Sequence, residues 1–193
     1  KLRLSGKNLL IKEIILQYLS QMLKVEKRFA PFRPLSLEGT YLGSLAFEVG
    51  GEKKQLTLKG TIDRVDEHEQ GIRIIDYKTG GAKGKVKDIP SLFARNGHHD
   101  ALQALIYARV YDQNHGEGRS LIPGLYYFRD IYNKNFDYHL KTNDEKITYG
   151  PVKEALEEKL QEAMRELFDP QVPFVQTENK DSCQFCPYIA ICR

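Results

Sequence analysis

Asp63, Asp76 and Lys78 are the residues of this chain whose types and spacing could act together on a substrate. They lie in GTIDRVDEHEQGIRIIDYKTG, residues 60–80, where two strand-like runs flank a polar turn. Side chains two apart on a strand share a face, so Asp76 and Lys78 project together while the Tyr77 side chain points away. A turn centred near Glu69 and Gln70 sets Asp63 across the ladder from Asp76, with Cβ atoms about 4.5 to 5.5 Å apart. Two ionised carboxylates at that range repel, and one holds its proton more tightly unless a cation sits between them. Buried charge is costly unless it is paired or bound to metal. A divalent ion such as Mg²⁺, typically held by one or two carboxylates plus water and substrate phosphate, resolves the conflict. Protonated Lys78 is no ligand to that ion, but it can orient or activate a water or meet the charge that develops on phosphate. The chemistry expected is metal-assisted phosphate-ester hydrolysis. The alternative is a surface hairpin on which Asp76 and Lys78 form a solvated pair of little energetic consequence.

The elements that must position these residues read as a mixed α/β domain. From Gly6 to Lys24, Ile11, Ile15, Tyr18 and Met22 recur at helical spacing, and Pro31 and Pro34 are expected to end that helix. Residues 38–48, 54–66 and 71–78 suit strands. DALQALIYARVY, residues 100–111, reads as a helix that is apolar nearly all round and therefore buried. LIPGLYYFRD, residues 121–130, is a further strand, with Pro123 pointing to a sheet edge. A short strand near 136–141 is expected next. Pro151 opens a final helix through Phe168, with Val152, Leu156, Leu160 and Met164 on one stripe. The expected organisation is one domain, with a helical lead-in over 1–35, a core over 36–170 and a cysteine-bearing tail over 171–193.

At 193 residues and 41% hydrophobic, the chain has the means to build one substantial core. A net charge of +3 permits an anionic partner without demanding one. No apolar run approaches the roughly 18 residues of a membrane span, and the first residues lack the apolar stretch of a signal peptide. A cytoplasmic protein is expected. The chain begins without Met and carries three clustered cysteines, so it reads as a piece of something longer, with further ligands supplied from upstream.

GTIDRVD followed by IIDYKTG resembles the GxxDRxD and (D/E)xK segments of the PD-(D/E)XK nuclease superfamily, in particular its RecB- and AddB-like branch. QALIY, Gln103 to Tyr107, is similar to the Q-x-x-x-Y signature that this branch carries on the next helix. The resemblance covers roughly residues 36–193. It implies a restriction-endonuclease-like α/β fold, with a central mixed β-sheet flanked by helices. It also implies Mg²⁺ or Mn²⁺ at Asp63, Asp76 and Tyr77, and catalytic assistance from Lys78. Gln103 and Tyr107 share a helix face, from which they reach substrate backbone or brace the lysine. Glu38, in LSLEGTYLG, matches an acidic residue common just ahead of the first strand; a solvated strand end is the alternative. Family members often add a His or Glu from an early helix, where this chain offers only Glu13.

Cys183, Cys186 and Cys192 give C-x2-C-x5-C, one thiolate short of a four-ligand site. The resemblance implies the C-terminal part of an iron–sulfur staple, a [4Fe-4S] cluster whose fourth cysteine lies far upstream. Zinc and free thiols are the alternatives. The loop GGAKGKVKDIPSLFARNGHH carries Lys83, Lys85, Lys87, Arg95, His98 and His99. Such a loop contacts DNA phosphates or is simply solvated; for the two histidines, cap or surface roles are expected. The function implied is a metal-dependent deoxyribonuclease of DNA repair or recombination, exonuclease favoured over endonuclease. It would act on single- or double-stranded DNA without sequence preference, beside a helicase domain or subunit. A catalytically inactive DNA-binding or scaffolding module is the competing reading, and a cluster-centred regulatory protein a third.

Overall fold

The structure is a computed structural model that describes residues 5–81, 86–94, 97–116, 118–175, 183–184 and 186–191. Four strands form one mixed sheet in the order β1 (Phe32–Val49), β2 (Glu52–His68), β3 (Gly71–Lys78) and β4 (Leu121–Tyr127). The first three run antiparallel, and β4 joins β3 in parallel. A parallel partner requires a crossover, which α2 (His99–His115) supplies. Gly50 and Gly51, with φ of 60° and 81°, make the two-residue turn between β1 and β2; successive positive φ values match the twist of a tight hairpin. Helix α1 (Lys7–Arg28) precedes the sheet and α3 (Tyr149–Phe168) follows it.

Two apolar layers cover the two faces. Val65, Ile72, Ile74, Leu121 and Leu125 pack with Ala101, Ala104, Leu105 and Ala108 of α2 and with Leu156 and Leu160 of α3. On the opposite face Ile75, Ile122 and Tyr126 pack with Val25 of α1 and with Ile131, Phe136 and Tyr138. That second layer encloses a charge network. Glu26 pairs with Arg64 at 2.8 Å, Arg64 with Asp66 at 2.9 Å, and Arg73 grips Asp66 through both carboxylate oxygens. Arg73 and Asp66 are fully buried. Aromatic rings of Phe32, Tyr77, Tyr126 and Tyr138 stand over the guanidinium groups, an arrangement that offsets part of the desolvation.

The expected elements form, with informative differences. α1 continues to Arg28 and stops before Pro31, while Pro34 lies within β1, an edge strand where a missing N–H is tolerated. Ile11 and Ile15 are exposed rather than buried, and only Val25 and Glu26 of α1 are enclosed. Periodicity identifies an apolar face but not what covers it. Pro123 does sit in the edge strand β4. The region 136–141 contributes a single bridge, Gly124 to His139, before the small hairpin of β5 (Lys141–Thr142) and β6 (Glu145–Lys146). α3 begins at Tyr149, two residues ahead of Pro151.

The outer edge of β1 is occupied by side chains of α2. Gln113 accepts from the Ser44 amide at 2.9 Å and donates to the Ser44 carbonyl at 2.9 Å. Arg109 also donates to that carbonyl, and Asn114 to the carbonyl of Leu42. Among the described residues no helix is long and apolar enough to cross a membrane.

Candidate active site

The turn falls at Glu69–Gln70, because His68 pairs with Gly71 and the β2–β3 ladder runs from there to Arg64 opposite Ile75. One step further along that register stands Asp63 opposite Asp76. The backbone ladder ends before this pair, and the Asp63 carboxylate takes over as acceptor, receiving the Tyr77 amide at 2.7 Å. Side-chain alternation along β2 also slips here. The Gly60 backbone approaches α2, and Ile62 and Val65 both join the α2-side layer, although strict alternation would separate Ile62 from Val65. Asp63 occupies the slip.

Asp76 and Lys78 face α2. Lys78 Nζ lies 2.7 Å from Asp76 Oδ2 and donates to Gln103 Oε1 at 2.7 Å. Gln103 Nε2 in turn donates to the Tyr107 hydroxyl at 2.8 Å. Of the two roles open to the Gln103–Tyr107 pair, the bracing of the lysine is the one realised in these contacts. Gly60, which opens the GTIDRVD segment, makes room for that brace: a Cβ there would stand 2.9 Å from the Tyr107 ring.

Burial is the largest influence on the Asp76 carboxyl and raises its pKa; Lys78 opposes the rise, while Asp63 and Asp100 add to it. Burial alone would lower the pKa of Lys78, but its contact with Asp76, helped by Asp100, outweighs that and raises it. The ammonium is thereby kept charged. The site thus gathers more carboxylate than ammonium, a balance suited to a further cation. Among the described residues, no three His, Cys, Asp or Glu side chains form a ready-made metal group. The donors available are therefore two carboxylates with neighbouring main chain, enough for an ion that keeps water and substrate oxygens.

The remaining candidates are distributed. The Tyr77 ring lies on the opposite face, stacked with Phe128 and near the Arg64 guanidinium, so only its main chain adjoins the site. Glu38 falls between the pairs Leu37–Arg64 and Gly39–Ile62, beside Asp63 in register, but is exposed. Its φ of 51° is unusual for a residue with a side chain. Glu13 is exposed and pairs with Lys12. Cys183 and Cys186 are linked by a turn in which the Cys186 amide donates to the Cys183 carbonyl. Cys192, Lys83, Lys85 and Arg95 lie outside the described residues. His98 takes the N-cap position of α2 without a side-chain capping bond.

Sequence reasoning misses two functional candidates. Asp100, in the first turn of α2, accepts from the Tyr127 hydroxyl at 3.0 Å and influences both Asp76 and Lys78. Its spacing to Gln103 and Tyr107, three and seven residues, is the helical signal that could have found it. Tyr127 is the register partner of Lys78 on β4 and has no local signal.

Residues 5–193 match the PD-(D/E)XK nuclease superfamily, and the chain belongs to that superfamily. It is 37% identical over 112 residues to a subunit of the ATP-dependent helicase/deoxyribonuclease of Carboxydothermus hydrogenoformans, which places it with the RecB/AddB-like branch. That stretch is 52% of this chain and only 9% of the relative. A solved structure, the crystal structure of SSO0001, superposes with a TM-score of 0.39 and 19% identity, covering 92% of this chain and 67% of the other.

Proposed function

We propose that this chain is a Mg²⁺- or Mn²⁺-dependent deoxyribonuclease domain, exonucleolytic rather than endonucleolytic, that acts beside a helicase domain or subunit. Superfamily membership supports phosphodiester hydrolysis, and the name of the helicase/deoxyribonuclease relative supports DNA and a helicase association. The observation that carries the reading is the convergence of Asp63, Asp76 and a Gln103-braced Lys78 where β2 and β3 part. Asp63, Asp76 and the main chain at Tyr77 would hold the ion. When bound, it supplies a Lewis acid for a phosphoryl oxygen and lowers the pKa of a bound water.

The chain's own groups do the positioning. Lys78, held charged by Asp76, presents an ammonium to the growing charge on the phosphate. Gln103 and Tyr107 keep that ammonium from swinging into solvent. None of these side chains offers a base-edge reader, which supports cleavage without sequence preference.

The test is cleavage of single- and double-stranded DNA with Mg²⁺, Mn²⁺ or chelator, comparing the protein with Asp76→Ala. Metal-dependent cleavage lost in the variant is expected; an active variant removes the assigned role. Calorimetric titration with Mn²⁺ separates the competing reading, since metal binding that ignores Asp63 favours an inactive DNA-binding module. Under the same reading Cys183, Cys186 and Cys192 are three ligands of a cluster completed from elsewhere. Iron and sulfide analysis of protein purified without oxygen checks this.

A further inference from the structure

Two hydrogen bonds tie the sheet to the face of α2 that overlies the site. One is the bond from Lys78 to Gln103. The other joins Tyr127 of β4 to Asp100. Lys78 and Tyr127 are direct partners across the parallel β3–β4 ladder. Asp100 and Gln103 are one helical turn apart. The four residues therefore form a quadrilateral, with two corners on the sheet and two on the helix.

The two bonds have different mechanical character. Gln103 and Lys78 are flexible side chains, and each is engaged twice: Gln103 with Lys78 and Tyr107, Lys78 with Gln103 and Asp76. Tyr127 is a rigid ring, 8% exposed and built into the α2-side layer. Its hydroxyl therefore fixes a point in space against which the first turn of α2 is set. Gly97, Leu92 and Ala94, just ahead of that turn, pack with backbone contacts too close to admit a Cβ at Gly97. The helix start is thus confined on both sides, and its rotation sets where the Gln103 carboxamide meets the ammonium.

We propose that Tyr127 and Asp100 are positioning residues: their hydrogen bond sets the rotation of α2 over β3–β4 and so holds Gln103 on Lys78. This rests on the nuclease reading for its catalytic consequence, but not for its structural one. Neither residue needs to touch the substrate. Asp100 carries a charge close to the site, so a direct ligand role is the rival to be separated by experiment.

Tyr127→Phe removes only the hydroxyl. Under the proposal it lowers kcat about tenfold, as small misplacements of reacting groups do, and leaves KM for DNA unchanged. Asp100→Asn keeps an acceptor for the hydroxyl and retains most of kcat, whereas Asp100→Ala matches Tyr127→Phe. In a Gln103→Ala background, Tyr127→Phe causes no further loss, because its effect runs through Gln103. Additive losses, or a rise in KM alone, would overturn the proposal. So would Asp100→Asn abolishing Mn²⁺ binding, which makes Asp100 a ligand. The side-chain amide NMR signals of Gln103 give a readout independent of cleavage, and they shift in Tyr127→Phe and Asp100→Ala if the clamp is real. Unchanged signals refute it. Shifted signals in a protein that cuts no DNA leave the clamp standing and count against the nuclease reading alone.

Discussion

Asp76 shows how a single side chain can weaken the fold it serves. Its pKa is raised, chiefly by burial, so the folded protein binds that proton more tightly than the unfolded chain does. The penalty is absent below the ordinary carboxyl range and complete once the pH exceeds the raised value. Asp76→Asn is therefore expected to raise the metal-free thermal midpoint at neutral pH, with the gain fading below about pH 4, while cleavage is lost. Scanning calorimetry across pH beside a nuclease assay measures both. Gly60 makes a different residue-scale prediction. Gly60→Ala pushes a methyl group against the Tyr107 ring and should lower kcat by roughly ten- to a hundredfold through the displaced lysine brace, with kinetics on DNA as the check. The acidic pair and the lysine were legible in the sequence because strand alternation and a two-residue turn determine the pairing. Asp100 and Tyr127 were not legible as a pair, since their contact depends on how a crossover helix settles on the sheet.

Among the elements, β2 serves two faces with opposite chemistry. Its α2 side carries the acidic site, and its α1 side carries Arg64 and Asp66 within the buried network. DRVD therefore divides into a catalytic half and an architectural half. Asp66→Ala leaves Arg73 enclosed without its carboxylate and is expected to cost about 3 to 5 kcal/mol of stability, read by urea unfolding. The fraction that still folds should bind DNA with unchanged KM. Hydrophobic periodicity anticipated α2 and α3 well, because each has a continuous apolar face against the sheet. It misjudged α1, whose Leu9, Ile11, Ile15 and Leu19 remain exposed. The slip in β2 at Asp63 was hidden as well, because it is a backbone event without a glycine or proline to mark it.

For the molecule as a whole, basic residues cluster in the segment that follows the lysine, and the chain carries a net charge of +3. If that segment lies along backbone phosphates, DNA binding must release counterions. With about four contacts, affinity should fall on the order of a hundredfold between 50 and 200 mM salt. Lys83→Ala combined with Lys85→Ala should flatten the slope by about two units, and fluorescence anisotropy at several salt concentrations measures it. A flat salt dependence in the unaltered protein removes this role for the loop. The global layout was readable because a parallel strand after a buried helix has few alternatives.

A strand that closes one side of a sheet can be extended by the backbone of another molecule. Along β1, the Gln113 carboxamide offers Ser44 one acceptor and one donor, the same pair a peptide unit would offer. The helix that braces the catalytic lysine at one end thus blocks templated growth at the other, which ties solubility at high concentration to the seating of α2.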